Sequence, residues 1–236
     1  MPNEMVQFKS NGGDATTAGG YLALPERGSG PGVIVIQEWW GLVPHIKNVC
    51  ERFADEGFVA LAPDLYHGRS TTSPDEAGKL MMALNIDRAE KDLRGAIEFL
   101  LAHESVAGET IGTVGFCMGG ALSLYAASKN EQVGACVVFY GGHPKIKFDL
   151  ENMRAPLLGI YGERDDFATP ALARELEAKM KSLGKSAEIH IYDDADHAFF
   201  NDERPEVFNA TAAADAWQRT LRFLREHLRT ESHGRT

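Results

Sequence analysis

The sequence lacks any apolar run approaching the roughly 18 residues of a membrane-spanning helix. Its first residues, Met1-Pro2-Asn3-Glu4, offer neither the basic segment nor the apolar stretch of a secretory signal. Both absences predict a cytoplasmic protein with no membrane partner. An excess of basic residues is also missing: 24 Lys and Arg stand against 34 Asp and Glu, a formal net charge of −10. That balance excludes a nucleic-acid backbone as the expected partner, although one local arginine suffices to hold a small anion. Cysteine is scarce, and the three present, Cys50, Cys117 and Cys136, are widely spaced. Such spacing fits neither a disulfide framework nor a zinc site, so free thiols are expected. No internal repeat or low-complexity linker divides the 236 residues, a length that suits a single domain over 1–236.

What is present alternates between two periodicities. Val33 to Ile36, Phe58 to Ala62, Thr110 to Phe116, Val133 to Phe139, Pro156 to Gly162 and Ala187 to Tyr192 read as short buried strands. Between and after them, His45 to Glu56, Asp87 to His103, Met118 to Ser128, Thr169 to Leu183 and Ala212 to Leu228 read as helices. The alternation calls for a mostly parallel sheet covered by helices on both faces. Val6 to Phe8 and Gly20 to Leu24, joined through a Gly/Thr-rich turn, predict an antiparallel hairpin at the edge.

The sharpest local signal is Gly115-Phe116-Cys117-Met118-Gly119-Gly120, directly after a strand and before a helix. A strand-to-helix turn this tight needs small neighbours, and it lifts its central side chain to the helix N-terminus. There the free N–H groups and the helix dipole favour an anion. A thiol in that place is a candidate nucleophile for acyl transfer, because a lowered pKa gives a thiolate without a strong base. Cys50, on an apolar helix face, and Cys136, inside a strand, read instead as core residues.

A nucleophile elbow implies an acid and then a histidine later in the chain. His197 follows the last strand in a loop without helical periodicity and is the expected base. Asp165, in Gly162-Glu163-Arg164-Asp165-Asp166, is the expected acid, with Asp166 as its competitor. The oxyanion donors would be the N–H of Met118 and that of Trp39, in the loop Gln37-Glu38-Trp39-Trp40-Gly41. Glu38 is unusual there: its charge would oppose an oxyanion unless it holds a proton or regulates the thiol.

Taken together, Gln37-Glu38-x-x-Gly41, Pro63-Asp64-Leu65-Tyr66, Gly115-x-Cys117-x-Gly119-Gly120, Tyr140-Gly141, Gly162-x-x-Asp165 and Asp196-His197-x-Phe199 resemble the dienelactone hydrolase family, the carboxymethylenebutenolidases. The likeness runs through residues 6 to 228, nearly the whole chain. It implies an α/β-hydrolase fold, a Cys117–His197–Asp165 triad, and a Glu38 that contacts the resting thiol and helps generate the thiolate when substrate arrives. It implies a small ester or lactone as substrate and requires no metal or organic cofactor. The family's two carboxylate-binding arginines are not matched in place. Between Tyr66 and Leu84 the chain offers only Arg69 and Lys79, and after His197 it reads Ala198-Phe199-Phe200-Asn201, with Arg204 a little later. The expected substrate pocket therefore combines Arg69 with the rings of Trp40, Tyr66, Tyr140 and Phe199. A general carboxylesterase and a thiol-based redox protein are the alternatives, and the sequence leaves the oligomeric state open.

Overall fold

The computed structural model describes residues 3–11 and 16–228; part of the expected first turn lies outside them. In chain order the elements are β1 (Glu4–Lys9), β2 (Thr17–Ala23), β3 (Gly32–Ile36), α1 (Pro44–Asp55), β4 (Val59–Pro63), α2 (Pro74–Ala83), α3 (Ile86–Leu101), β5 (Ile111–Phe116), α4 (Met118–Lys129), β6 (Val133–Phe139), β7 (Leu157–Gly162), α5 (Pro170–Ser182), β8 (Ala187–Tyr192) and α6 (Ala210–His227). The strands form one sheet in the order β1-β2-β4-β3-β5-β6-β7-β8. From β4 to β8 every pairing is parallel, while β1 pairs with β2, and β2 with β4, antiparallel. This is an α/β-hydrolase fold with the N-terminal hairpin on one edge. Among the described residues no helix is long and apolar enough to cross a membrane.

The central strands β3, β4 and β5 are buried along their whole length, as a sheet covered on both faces requires. The helices show why they cover it. α1 starts on Pro44 at its first turn, buries Ile46, Val49, Cys50 and Phe53, and is followed by Gly57 at φ +90°. Asn85, Thr169 and Asn209 each accept a hydrogen bond from a backbone N–H in the first turn of α3, α5 and α6. α2 is the element that the apolar pattern does not announce. Only Ala77 and Leu80 of its ten residues are buried, too few to make a stripe. Its signal is the start, Ser73-Pro74-Asp75-Glu76, which has a proline at the head and acids in the first turn.

α4 has almost no polar face, because it is buried nearly throughout against β5 and β6. Backbone meets backbone at its N-terminus. A Cβ on Gly115 would lie 1.9 Å from the Gly119 carbonyl oxygen, and one on Gly119 would lie 2.3 Å from that of Ile36. The end of β5, the head of α4 and the end of β3 are thus brought together with no side chain between them. Gly119→Ala is expected to lower stability by about 2–3 kcal/mol through overpacking. Urea denaturation followed by circular dichroism measures this, and a wild-type midpoint would contradict it.

Candidate active site

Four loops at the carboxyl ends of β3, β5, β7 and β8 converge on one cavity of about 430 Å³, the edge where ligands collect in open parallel sheets. Cys117 stands between β5 and α4 as the N-cap residue, at φ +54° and ψ −120°. A non-glycine residue in this region is strained and persists only where surrounding structure dictates it. Here the Cys117 N–H donates to the Phe139 carbonyl at 3.0 Å, and its carbonyl accepts from the Gly120 N–H at 2.9 Å. The side chain is largely buried but lines the cavity.

The loops after β7 and β8 are tied to each other before they present any side chain. The Glu163 N–H donates to the Tyr192 carbonyl and the Arg164 N–H to that of Ala195, both at 2.9 Å. Gly162 is needed for the approach, since a Cβ there would lie 2.3 Å from the Ala195 oxygen. Asp165, only 2% exposed, then uses both of its oxygens. Oδ1 accepts from the Phe167 and Ala168 N–H groups at 2.8 and 2.7 Å, and Oδ2 faces His197 Nδ1 at 2.6 Å. The competitor Asp166 lies on the cavity wall instead. His197 sits with its ring edge-on to Tyr140 and Phe167, at centroid distances of 5.1 and 5.4 Å.

Burial by itself would lower the His197 imidazole. Hydrogen bonding to Asp165 and to Cys117, with the negative charge of each, outweighs that effect and pushes it up to about 10. The same contacts favour the protonated form of the imidazole.

The β3–α1 loop supplies the remaining wall. Gly41 at φ +96° lets this loop fold back, and Gln37 Oε1 accepts from the Leu65 N–H at 3.1 Å. Glu38 is 1% exposed. Its Oε2 accepts from Asn201 Nδ2 at 2.7 Å, while Oε1 has no hydrogen-bond partner among the described residues. Glu38 and Cys117 line the same cavity; the hydrogen bond to the carboxylate comes from Asn201, while Cys117 contributes to the raised pKa of His197. Met118 is the first residue of α4, where a backbone N–H has no intrahelical acceptor. The close approach of Gly119 to Ile36 and Gln37 brings that amide alongside the loop carrying Trp39.

Of the expected pocket residues, Trp40 lines the cavity, beside Trp39, Met81 and Phe167. Tyr66 and Arg69 line a different cavity of about 270 Å³, and the Tyr66 hydroxyl donates to Met118 Sδ at 3.3 Å. Tyr140 and Phe199 are fully buried, Tyr140 behind His197 and Phe199 between Tyr140 and Tyr192. Among the described residues, the guanidinium groups at this cavity belong to Arg164 and Arg204, which pair with Asp194 and Glu206. Sequence reasoning missed Arg164 and Phe167, whose neighbours are charged and look like a solvated loop. It also missed Asn201 as the partner of Glu38. The only hint was a small amide where the family resemblance implies an arginine.

The chain as a whole is similar to known proteins. The model of the dienelactone hydrolase family matches residues 18–228. A protein of Aquifex pyrophilus named Protein usf is 39% identical over 232 residues, covering 95% of this chain and 99% of its own. A protein of Aquifex aeolicus (strain VF5) that carries the provisional name carboxymethylenebutenolidase is 34% identical over 233 residues, covering 96% and 99%. Among solved structures, one from Klebsiella pneumoniae subsp. pneumoniae MGH 78578, provisionally named a dienelactone hydrolase, superposes with a TM-score of 0.83 at 28% identity. It covers 95% of this chain and 100% of its own.

A raised histidine stabilises the fold fully below its ordinary value of 6.5, and that contribution is lost as pH rises through about 10. In an NMR titration the His197 imidazole is therefore expected to stay protonated well above neutrality. Asp165→Asn should bring its midpoint down. A wild-type imidazole titrating at its ordinary value would contradict the electrostatics described.

Proposed function

This chain belongs to the dienelactone hydrolase family, and on that premise we propose that it opens an activated ester or enol lactone through a thioester on Cys117. The observation that carries the proposal is the set of contacts around one thiol. Cys117 stands at the head of α4 beside an imidazole that is itself held at 2.6 Å by a buried carboxylate. In this mechanism the thiolate attacks the carbonyl carbon, forming a C–S bond and a tetrahedral oxyanion. The Met118 and Trp39 amides receive that oxyanion. As the C–O bond breaks, the His197 imidazolium gives its proton to the departing oxygen. Neutral His197 then takes a proton from water, the hydroxide attacks the thioester, and the Cys117 thiolate leaves with the imidazolium restored. Asp165 keeps the imidazole in the right tautomer and offsets its charge.

Glu38, which lines the same cavity and whose Oε1 has no hydrogen-bond partner among the described residues, fits this scheme as a proton-holding group. A redox role for Cys117 through a disulfide within the chain would need a second accessible thiol. Burial pushes Cys136 up to about 12 and raises Cys50 further, which leaves both as poor partners. The guanidinium groups within reach of a substrate are those of Arg164 and Arg204, not Arg69.

Cys117→Ala is expected to lower kcat/KM on p-nitrophenyl acetate by about 10³-fold or more, the scale of losing a triad nucleophile. Release of nitrophenolate at the wild-type rate would overturn the proposal.

A further inference from the structure

Beside the catalytic cavity lies a second one, of about 500 Å³, walled by Trp40, Val43, Pro44 and Pro74 with Thr72 and Arg204. Trp40 and Arg204 line both cavities. A third link is Asn201, which lines the second cavity and donates to Glu38 in the first. Trp40 and Arg204 thus form a wall shared by the two.

Its two halves differ in how firmly they are held. The Trp40 carbonyl accepts from the Thr71 N–H at 3.0 Å, and the Trp40 ring packs edge-on against Trp39 at 5.0 Å. Arg204 lies 5.8 Å over the Trp40 ring, and its carboxylate partner is Glu206, two residues along on the same surface turn. Glu206 is exposed, and an ion pair to such a surface carboxylate holds a side chain weakly, so the guanidinium is the movable part of the wall.

Resting on the hydrolase mechanism above, we propose that the acyl portion of the substrate passes the Trp40–Arg204 wall and occupies this second cavity. The direction follows from proton transfer. His197 must reach the departing oxygen, and His197, Phe167 and Arg164 line the first cavity alone, so the leaving group stays there. The acyl group then points towards Trp39 and Trp40. Its walls select the chemistry. Trp40, Val43 and the prolines offer apolar surface, while Glu203 and Glu206 outnumber the one guanidinium. The class accommodated is an uncharged, elongated arylalkyl or alkyl acyl group.

The test uses p-nitrophenyl acetate, p-nitrophenyl phenylbutyrate and the p-nitrophenyl monoester of adipic acid on the whole protein. Thr72→Trp fills the second cavity from its exposed rim, and Arg204→Ala opens the wall. Thr72→Trp should lower the kcat/KM ratio of phenylbutyrate to acetate by about ten-fold, chiefly through KM, whereas Arg204→Ala should raise it by about three-fold. For the wild type, phenylbutyrate should be preferred to the adipate monoester. Ratios unchanged in both variants, or a preference for the adipate monoester, would overturn the acyl subsite while leaving the hydrolase mechanism intact. Loss of turnover on every ester in the wild type would instead remove the mechanism on which the subsite rests.

Discussion

The turn from β5 into α4 holds Cys117 at a positive φ because backbone from three segments meets there with nothing in between. Gly115 and Gly119 are required by that contact and not by any freedom of their own dihedrals. The consequence runs outward from the turn. With α4 pressed against the end of β3, the first amide of the helix lies beside the loop of Glu38 and Trp39. With Cys117 bonded to Phe139, the end of β6 and Tyr140 come in behind His197. A larger residue at either glycine would push the head of α4 away from the ends of β5 and β3.

Electrostatics sets the second constraint. An acidic protein places a buried carboxylate, Glu38, in the same cavity as the Cys117 thiol. Asn201 makes that tolerable by donating to one oxygen without adding a charge, and its own Oδ1 accepts from the Glu203 N–H at 3.0 Å, which fixes the amide's orientation. On the other side, Asp165 has three donors for two oxygens and is fully committed. The two carboxylates thus hold different positions. One is saturated and tied to the imidazole, and the other keeps a buried oxygen without a hydrogen-bond partner among the described residues.

Much of this was legible in the sequence where the physics is local. The buried strands, the Gly-x-Cys-x-Gly turn and the histidine loop each announce themselves within a few residues. The choice of Asp165 over Asp166 was not decided by spacing, and the geometry that settles which one faces His197 is a pair of backbone amides at 167 and 168. α2 escaped because so little of it is buried. The pocket was read least well, since Tyr66, Tyr140 and Phe199 are aromatic residues near the site in sequence but are spent on packing in space. Arg164 and Arg204 could not be assigned from the chain alone, because their position depends on how the loops after β7 and β8 lie across each other.

The account's central claim is that the acyl group passes through sulfur at position 117. Intact-protein and peptide mass spectrometry after rapid acid quench with a slowly hydrolysed aryl ester tests it most directly. The account predicts a hydroxylamine-labile acyl adduct on the peptide carrying Cys117, absent in Cys117→Ala. Ester hydrolysis at full rate with no adduct on that peptide, or with the adduct on another residue, would contradict it.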